Sequence, residues 1–67
     1  MVEKILREYD DVYSILYYNG HYYFTCNDDE TLYDADNGSI VGSVYKEDIA
    51  KIVGTAIIVY QEDEEEF

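Results

Sequence analysis

Apolar residues open the chain at Val2, Ile5, Leu6 and Tyr9, the i, i+3, i+4, i+7 spacing of one helix face. The segment spans only about two turns, so a strand competes with the preferred helix. Alternation then takes over. Val12 to Tyr18 and His21 to Cys26 flank Asn19-Gly20, the strongest two-residue hairpin signal. A two-residue turn pairs Tyr18 with His21, Tyr17 with Tyr22, Leu16 with Tyr23 and Ile15 with Phe24. Because strand side chains alternate, one face then carries Tyr13, Ile15, Tyr17, Tyr22, Phe24 and Cys26. The other carries Val12, Ser14, Leu16, Tyr18, His21, Tyr23 and Thr25. The first face reads as core. The second is too apolar for plain solvent surface and too polar for a full core.

An acidic turn, Asn27 to Glu30, leads to a second expected hairpin, Thr31 to Asp36 and Ser39 to Val44, around Asn37-Gly38. Tyr33, Ala35, Ile40 and Val44 would share its buried face, with Asp34 and Asp36 pointing the other way. A second helix is expected from Ser43 or Tyr45 through about Val53, carrying Ile49, Ile52 and Val53, with Gly54 as its C-terminal cap. Ala56 to Tyr60 is an apolar run suited to a central or well-covered strand. The fold class is α+β: an antiparallel sheet of about five strands, built from two Asn-Gly hairpins plus a C-terminal strand, with one or two short helices. Residues 1–61 form one acidic domain, and 62–67 a flexible acidic tail.

Composition sharpens this outline. At 67 residues the chain lies near the lower size limit for a domain that folds without disulfides or metal. Nine tyrosines, two phenylalanines and no tryptophan suit half-buried positions, where the ring packs and the hydroxyl stays wet. Sixteen acids face four bases, a net charge of −12. Setting aside the run Glu62 to Glu66 leaves eleven acids against four bases, so the acidity belongs to the domain and not only to its tail. Such a charge repels nucleic acid and anionic membranes and attracts basic protein surfaces. One cysteine, no apolar run of signal length at the N-terminus and no long apolar stretch point to the cytoplasm.

No constellation points to catalysis. His21 and Cys26 are the only His and Cys. Five positions apart on one strand, they face opposite ways, about 16 Å apart, which excludes a Cys–His dyad. They read better as a turn-flanking surface residue and a small buried one. Asp34-Ala35-Asp36-Asn37-Gly38 has the beginnings of a calcium loop, but Gly comes one position early and Tyr45 stands where the closing Glu is required. Paired carboxylates need a pocket for acid–base work, and a chain this short leaves little room for one. Phosphate loops and zinc spacings are absent. The four bases, Lys4, Arg7, Lys46 and Lys51, are too scattered for direct nucleic-acid binding. The expectation is a non-enzymatic protein without cofactor or metal.

The acids remain. Asp10 and Asp11 precede the first hairpin, Asp28, Asp29 and Glu30 close it, Asp34 and Asp36 share a strand face about 7 Å apart, and Glu47 and Asp48 begin the second helix. Carboxylates held at fixed spacing imitate a row of phosphates, which DNA-binding proteins meet with placed Lys and Arg. The competing reading is a solvated surface that keeps a small protein soluble.

In size, charge and mixed α/β pattern the whole chain resembles the small acidic DNA-mimic proteins with which bacteriophages disable host DNA-binding proteins. The resemblance is carried by Asp10, Asp11, Asp28, Asp29, Glu30, Asp34, Asp36, Glu47 and Asp48, without a diagnostic motif. It implies a partner that is a basic nucleic-acid-binding protein of the host, with the histone-like nucleoid protein HU as the best guess. Many members of the class are dimers, and Leu16, Tyr18 and Tyr23 on the second hairpin face are the expected dimer interface. The tail, Glu62 to Glu66 closed by Phe67, resembles the acidic tip of bacterial single-stranded-DNA-binding proteins, although the proline of that tip and the basic barrel are missing. It raises an alternative: an acidic adaptor that binds a basic protein surface partly through this tail. Simple solubilisation is the tail's other reading.

Overall fold

The computed structural model describes residues 1–62. The element order is α1 (Val2–Glu8), β1 (Val12–Tyr18), β2 (His21–Cys26), β3 (Thr31–Asp34), β4 (Ile40–Ser43), α2 (Glu47–Thr55) and β5 (Ile57–Gln61). All strand pairs are antiparallel, in one open sheet of order β4-β3-β2-β1-β5. The fold is α+β, as the pattern predicts. The expected tail lies, from residue 63 onward, outside the described residues.

The two helices cover opposite faces of the sheet. Ile15, Phe24 and Tyr33 stand in register across β1, β2 and β3 and form one core with Ile5, Val12 and Ala35, joined by Val2 and Tyr9 from the α1 segment. Tyr9 is the keystone of that side. Its ring stacks on Phe24 at 4.4 Å, and its hydroxyl donates to the Ala35 carbonyl at 3.2 Å. On the other face Leu16, Leu32 and Ile49 form a second core, with Tyr23, Ile52 and Val53 packed around it. Neither helix reaches the roughly 12–15 residues that an isolated helix needs, so both persist because their apolar faces are buried on the sheet.

This arrangement revises the reading of the β1–β2 hairpin as one core face and one face for a second copy. Leu16 is 2% exposed, and Tyr23 is half-buried, against α2 of the same chain. The cover expected from a dimer is supplied within the monomer, so Leu16 is not available to a partner. Tyr18, beside the turn, is half-buried.

The first hairpin has the predicted register: Ile15 with Phe24, Leu16 with Tyr23, Tyr17 with Tyr22 and Tyr18 with His21. Asn19 (φ 52°) and Gly20 (φ 83°) both take the left-handed conformation that a type I′ turn requires. Its far end departs from the simple alternation. A bulge between Val12 and Ser14 inserts Tyr13 without a partner, and an extra residue turns the preceding side chain over. Val12 therefore joins the Ile15 core, opposite to expectation. Tyr13 leaves the core, and its hydroxyl accepts a hydrogen bond from Gln61 Nε2 at 2.9 Å.

The second hairpin is not a two-residue turn. β3 stops at Asp34, and residues 35–39 loop out before β4. Asp34 Oδ1 accepts from the Asp36 amide at 2.8 Å, an Asx turn that ends the strand. Ala35 is drawn into the α1-side core. A bulge between Leu32 and Tyr33 then breaks the expected shared face. Ile40 is 69% exposed, and Val44 packs on the α2 side. Asp34 and Asp36 accordingly do not sit side by side on a strand.

Two further expectations change. Gly54 lies inside the last turn of α2, whose cap is Ala56. The C-terminal apolar run is an edge strand, paired among the described residues with β1 alone. In α1, Leu6 is 36% exposed, outside the packed set of Val2, Ile5 and Tyr9.

Candidate functional site

The antiparallel topology sorts the acids. β1 and β3 begin, and β2, β4 and β5 end, at the same end of the sheet. The connections there are the α1–β1 loop, the β2–β3 loop and the β4–α2 junction, and the chain leaves β5 at this end too. Backbone hydrogen bonds bind these segments to one another: Asn27 N–H donates to Asp11 O at 2.9 Å, Val44 N–H to Glu30 O at 2.8 Å and Glu62 N–H to Tyr13 O at 2.8 Å. Asp10, Asp11, Asp28, Asp29, Glu30, Glu47, Asp48 and Glu62 thus share one end, with Lys46 as the base among them. Four inter-strand steps of about 4.8 Å give this acidic end a breadth of roughly 19 Å.

Local conformation fixes the acids further. Asp11 and Asp28 both have φ 59°, the left-handed region that Asp tolerates better than most residues. They make sharp corners where the chain enters β1 and where it leaves β2, at the same end of that strand pair. Asp29 accepts from the Tyr33 hydroxyl at 2.6 Å and from the Thr31 amide at 3.1 Å. The Tyr33 and Thr31 hydrogen bonds hold the Asp29 carboxyl below its ordinary value and its partnership with Asp29 pushes the Tyr33 phenol up. Asn27 Nδ2 donates to Glu62 Oε1 at 3.2 Å, tying the β5 exit to the β2–β3 loop. Asp48 Oδ1 accepts from the Ile49 amide at 3.0 Å, in the first turn of α2, where negative charge suits the helix dipole.

None of these carboxylates pairs with Lys or Arg among the described residues. The one charge pair there is His21 Nδ1 with Asp36 Oδ2 at 3.9 Å, at the opposite end. Asp34 and Asp36 belong to that opposite end, with the two hairpin turns. Of the nine acids singled out from the sequence, seven are therefore brought together and two are not. Glu62, assigned to the tail from sequence, joins the seven because β5 exits beside β1. The register of an apolar strand against β1 was the missing signal.

A shallow depression lies at this end, lined by Tyr13, Cys26, Asn27, Asp28, Asp29 and Glu30. Burial, then the charges of Asp29 and Asp11, raise the Cys26 thiol, which keeps it protonated and unreactive. Cys26 Sγ–H points to the Asp10 carbonyl at 3.7 Å. No group of three or more His, Cys, Asp and Glu is arranged to hold a metal ion among the described residues. No helix there is long and apolar enough to cross a membrane. What the site offers chemically is a band of fixed negative charge edged with hydroxyls. Comparison with protein families, curated proteins and solved structures finds no match.

Proposed function

We propose that the chain is a DNA mimic, which binds the basic DNA-binding surface of a nucleic-acid-binding protein through its acidic end and blocks DNA binding. The observation that carries this reading is the collection of eight carboxylates, from four separate chain segments, on one end of a rigid sheet without Lys or Arg partners among the described residues. A surface acidic only for solubility has no need to concentrate its charge, and spread charge repels itself less. Here the fold holds like charges together and uses left-handed corners and hydrogen bonds to fix them. A groove lined with Lys and Arg would gain from meeting them what it gains from phosphates, including release of bound counterions.

The partner in this reading is a bacterial nucleoid protein of the HU type, in the cytoplasm of a host cell. That choice rests on the resemblance to phage-encoded mimics in size and charge. The protein acts by occupancy, without catalysis or cofactor.

The test is capture from bacterial lysate on the immobilised chain, with elution by rising salt or by duplex DNA and identification of eluted proteins by mass. Release of one basic DNA-binding protein by either eluent is expected. A captured partner that still takes up DNA normally while bound overturns the proposal. Deleting residues 62–67 separates the adaptor reading: the folded acidic end should retain binding, whereas an adaptor working through its tail would lose it.

A further inference from the structure

We propose that β5 is a homodimer interface, pairing antiparallel with β5 of a second copy so that the two sheets join into one of ten strands. β5 is bonded to β1 on one side and, among the described residues, to no strand on the other. Ile57, Ile58 and Val59 are 63%, 55% and 40% exposed. Ile57 stands beside Tyr17 and Ile58 beside Leu16, adjacent β1 positions on opposite faces, so the edge is apolar on both sides of the sheet. Tyr17, 37% exposed, extends the patch on the α1 side. Side chains of this kind on both faces are the mark of an interior strand.

Edges left free are ordinarily guarded by lysine, proline, inward charge, a bulge or great shortness. From Ile57 to Gln61 there is no charge and no proline. A bulge between Ile15 and Leu16, which leaves Val59 without a β1 partner, is the one guard present. The other edge differs: β4 has four residues, Gly42 and Ser43 among them, and shows one large exposed apolar side chain, Ile40.

Charge decides the occupant. A basic protein would be drawn to the acidic end and has nothing to gain on an uncharged strand. For a second strongly negative copy the β5 edge offers a strand that carries no charge from Ile57 to Gln61. Antiparallel pairing about a two-fold axis sends the two acidic ends to opposite ends of the joined sheet, while any approach through those ends sets like charges face to face. Together these apolar residues expose roughly 400 Å² per copy, divided between the two faces of the edge and within the range of the largest, often functional, apolar patch of a monomer. Two copies, with the backbone atoms that pair, come near the roughly 1,000 Å² of a specific interface. This inference is independent of the function proposed above.

Sedimentation of the full chain across micromolar concentrations, at low and at high salt, tests it, with far-UV circular dichroism as the check of fold. The wild type should dimerise, and more tightly at high salt, because screening removes repulsion between like-charged copies. Binding through the acidic end has the opposite salt dependence, so the two proposals fail separately. Ile57→Lys should weaken the dimer at least about tenfold, as should Ile58→Lys should the first variant fold poorly. Ile40→Lys, on the β4 edge, should leave it unchanged. A wild type that stays monomeric overturns the proposal. So does a dimer indifferent to folded Ile57→Lys and Ile58→Lys, or one lost equally in Ile40→Lys, while a heteromeric strand partner with a monomeric wild type assigns the edge to another chain.

Discussion

The two ends of the sheet are built from the same materials and come out differently. Each has tight connections rich in Asp and Asn. At the end with the hairpin turns, the polar groups satisfy one another: Asp34 caps Asp36, Asn37 Oδ1 accepts from the Ser39 amide at 2.9 Å, and Asp36 lies 3.9 Å from His21. At the other end the carboxylates have no Lys or Arg partner among the described residues, and the hydrogen bonds they accept there come from backbone amides, a hydroxyl and an amide side chain. Local hydrogen bonding in the first case shapes turns. In the second it also fixes carboxylates that have no cation partner among the described residues. Position along the sheet, and not acid content, separates structural from available carboxylates.

The contrast predicts a large difference in binding. Neutralising Asp28, Asp29 and Glu30 together, as Asp28→Asn, Asp29→Asn and Glu30→Gln, should weaken capture of a basic partner by about ten- to a hundredfold, the range expected for several interfacial charges. Asp34→Asn with Asp36→Asn should change it by less than about threefold. Titration calorimetry against the captured protein compares the two sets, and equal losses would remove the distinction between the ends.

Next in size is the seat of α2, which carries Glu47 and Asp48 to the acidic end. A Cβ on Gly42 would lie 2.9 Å from Ile49 Cγ1. Gly42→Ala should cost about 1–3 kcal/mol in denaturant unfolding, the usual range for overpacking. Gly20, at the opposite end, has open space around it but φ +83°. Gly20→Ala should cost about 1–2 kcal/mol from backbone conformation alone.

Asp28→Gly turns the comparison around. Gly takes the left-handed corner without steric cost, so this variant should match or slightly exceed wild-type stability, by up to about 1 kcal/mol, while binding a basic partner more weakly. A stable variant with lowered affinity would show charge acting apart from fold. Smallest is the pH effect of the Asp29–Tyr33 hydrogen bond. Because the folded Asp29 carboxyl is held below its unfolded value, its contribution is present above the unfolded value and lost as pH falls through the folded one. Tyr33 is raised, so its contribution is present below its unfolded value and lost as pH rises through the folded one. Tyr33→Phe should flatten the stability–pH profile at both extremes, as read from thermal unfolding.

Much of this architecture is legible in residue order, because short-range rules govern it. Asn19-Gly20 dictates its turn, and through it the register of β1 on β2. The spacing of Val2, Ile5 and Tyr9 marks α1, and the sheet of five antiparallel strands follows from the run of strands and turns. Failures gather where a single extra residue or a long-range contact decides. The Tyr13 bulge reverses Val12, and no local pattern marks it. Asn37-Gly38 looks like Asn19-Gly20, yet Asp34 caps its own turn and Ala35 finds the Tyr9 side of the core. α2 on the face opposite to α1, and β5 at an edge, depend on how distant segments share one sheet. Seven acids of the site could be named without the fold, but their convergence on one end depended on it.

The sheet order also has a consequence for how the molecule assembles. β1 is the hub: it pairs with β2 across a two-residue turn and with β5 across most of the chain. Hairpins form in microseconds, whereas pairing of distant segments must first close a long loop. Docking of β5 is therefore expected to come late, and with it the arrival of Glu62 beside Asn27. That last step brings like charges together after most of the sheet has formed, so added salt should slow unfolding more than it speeds refolding. The segment with the most exposed apolar surface is the one that waits longest for its place.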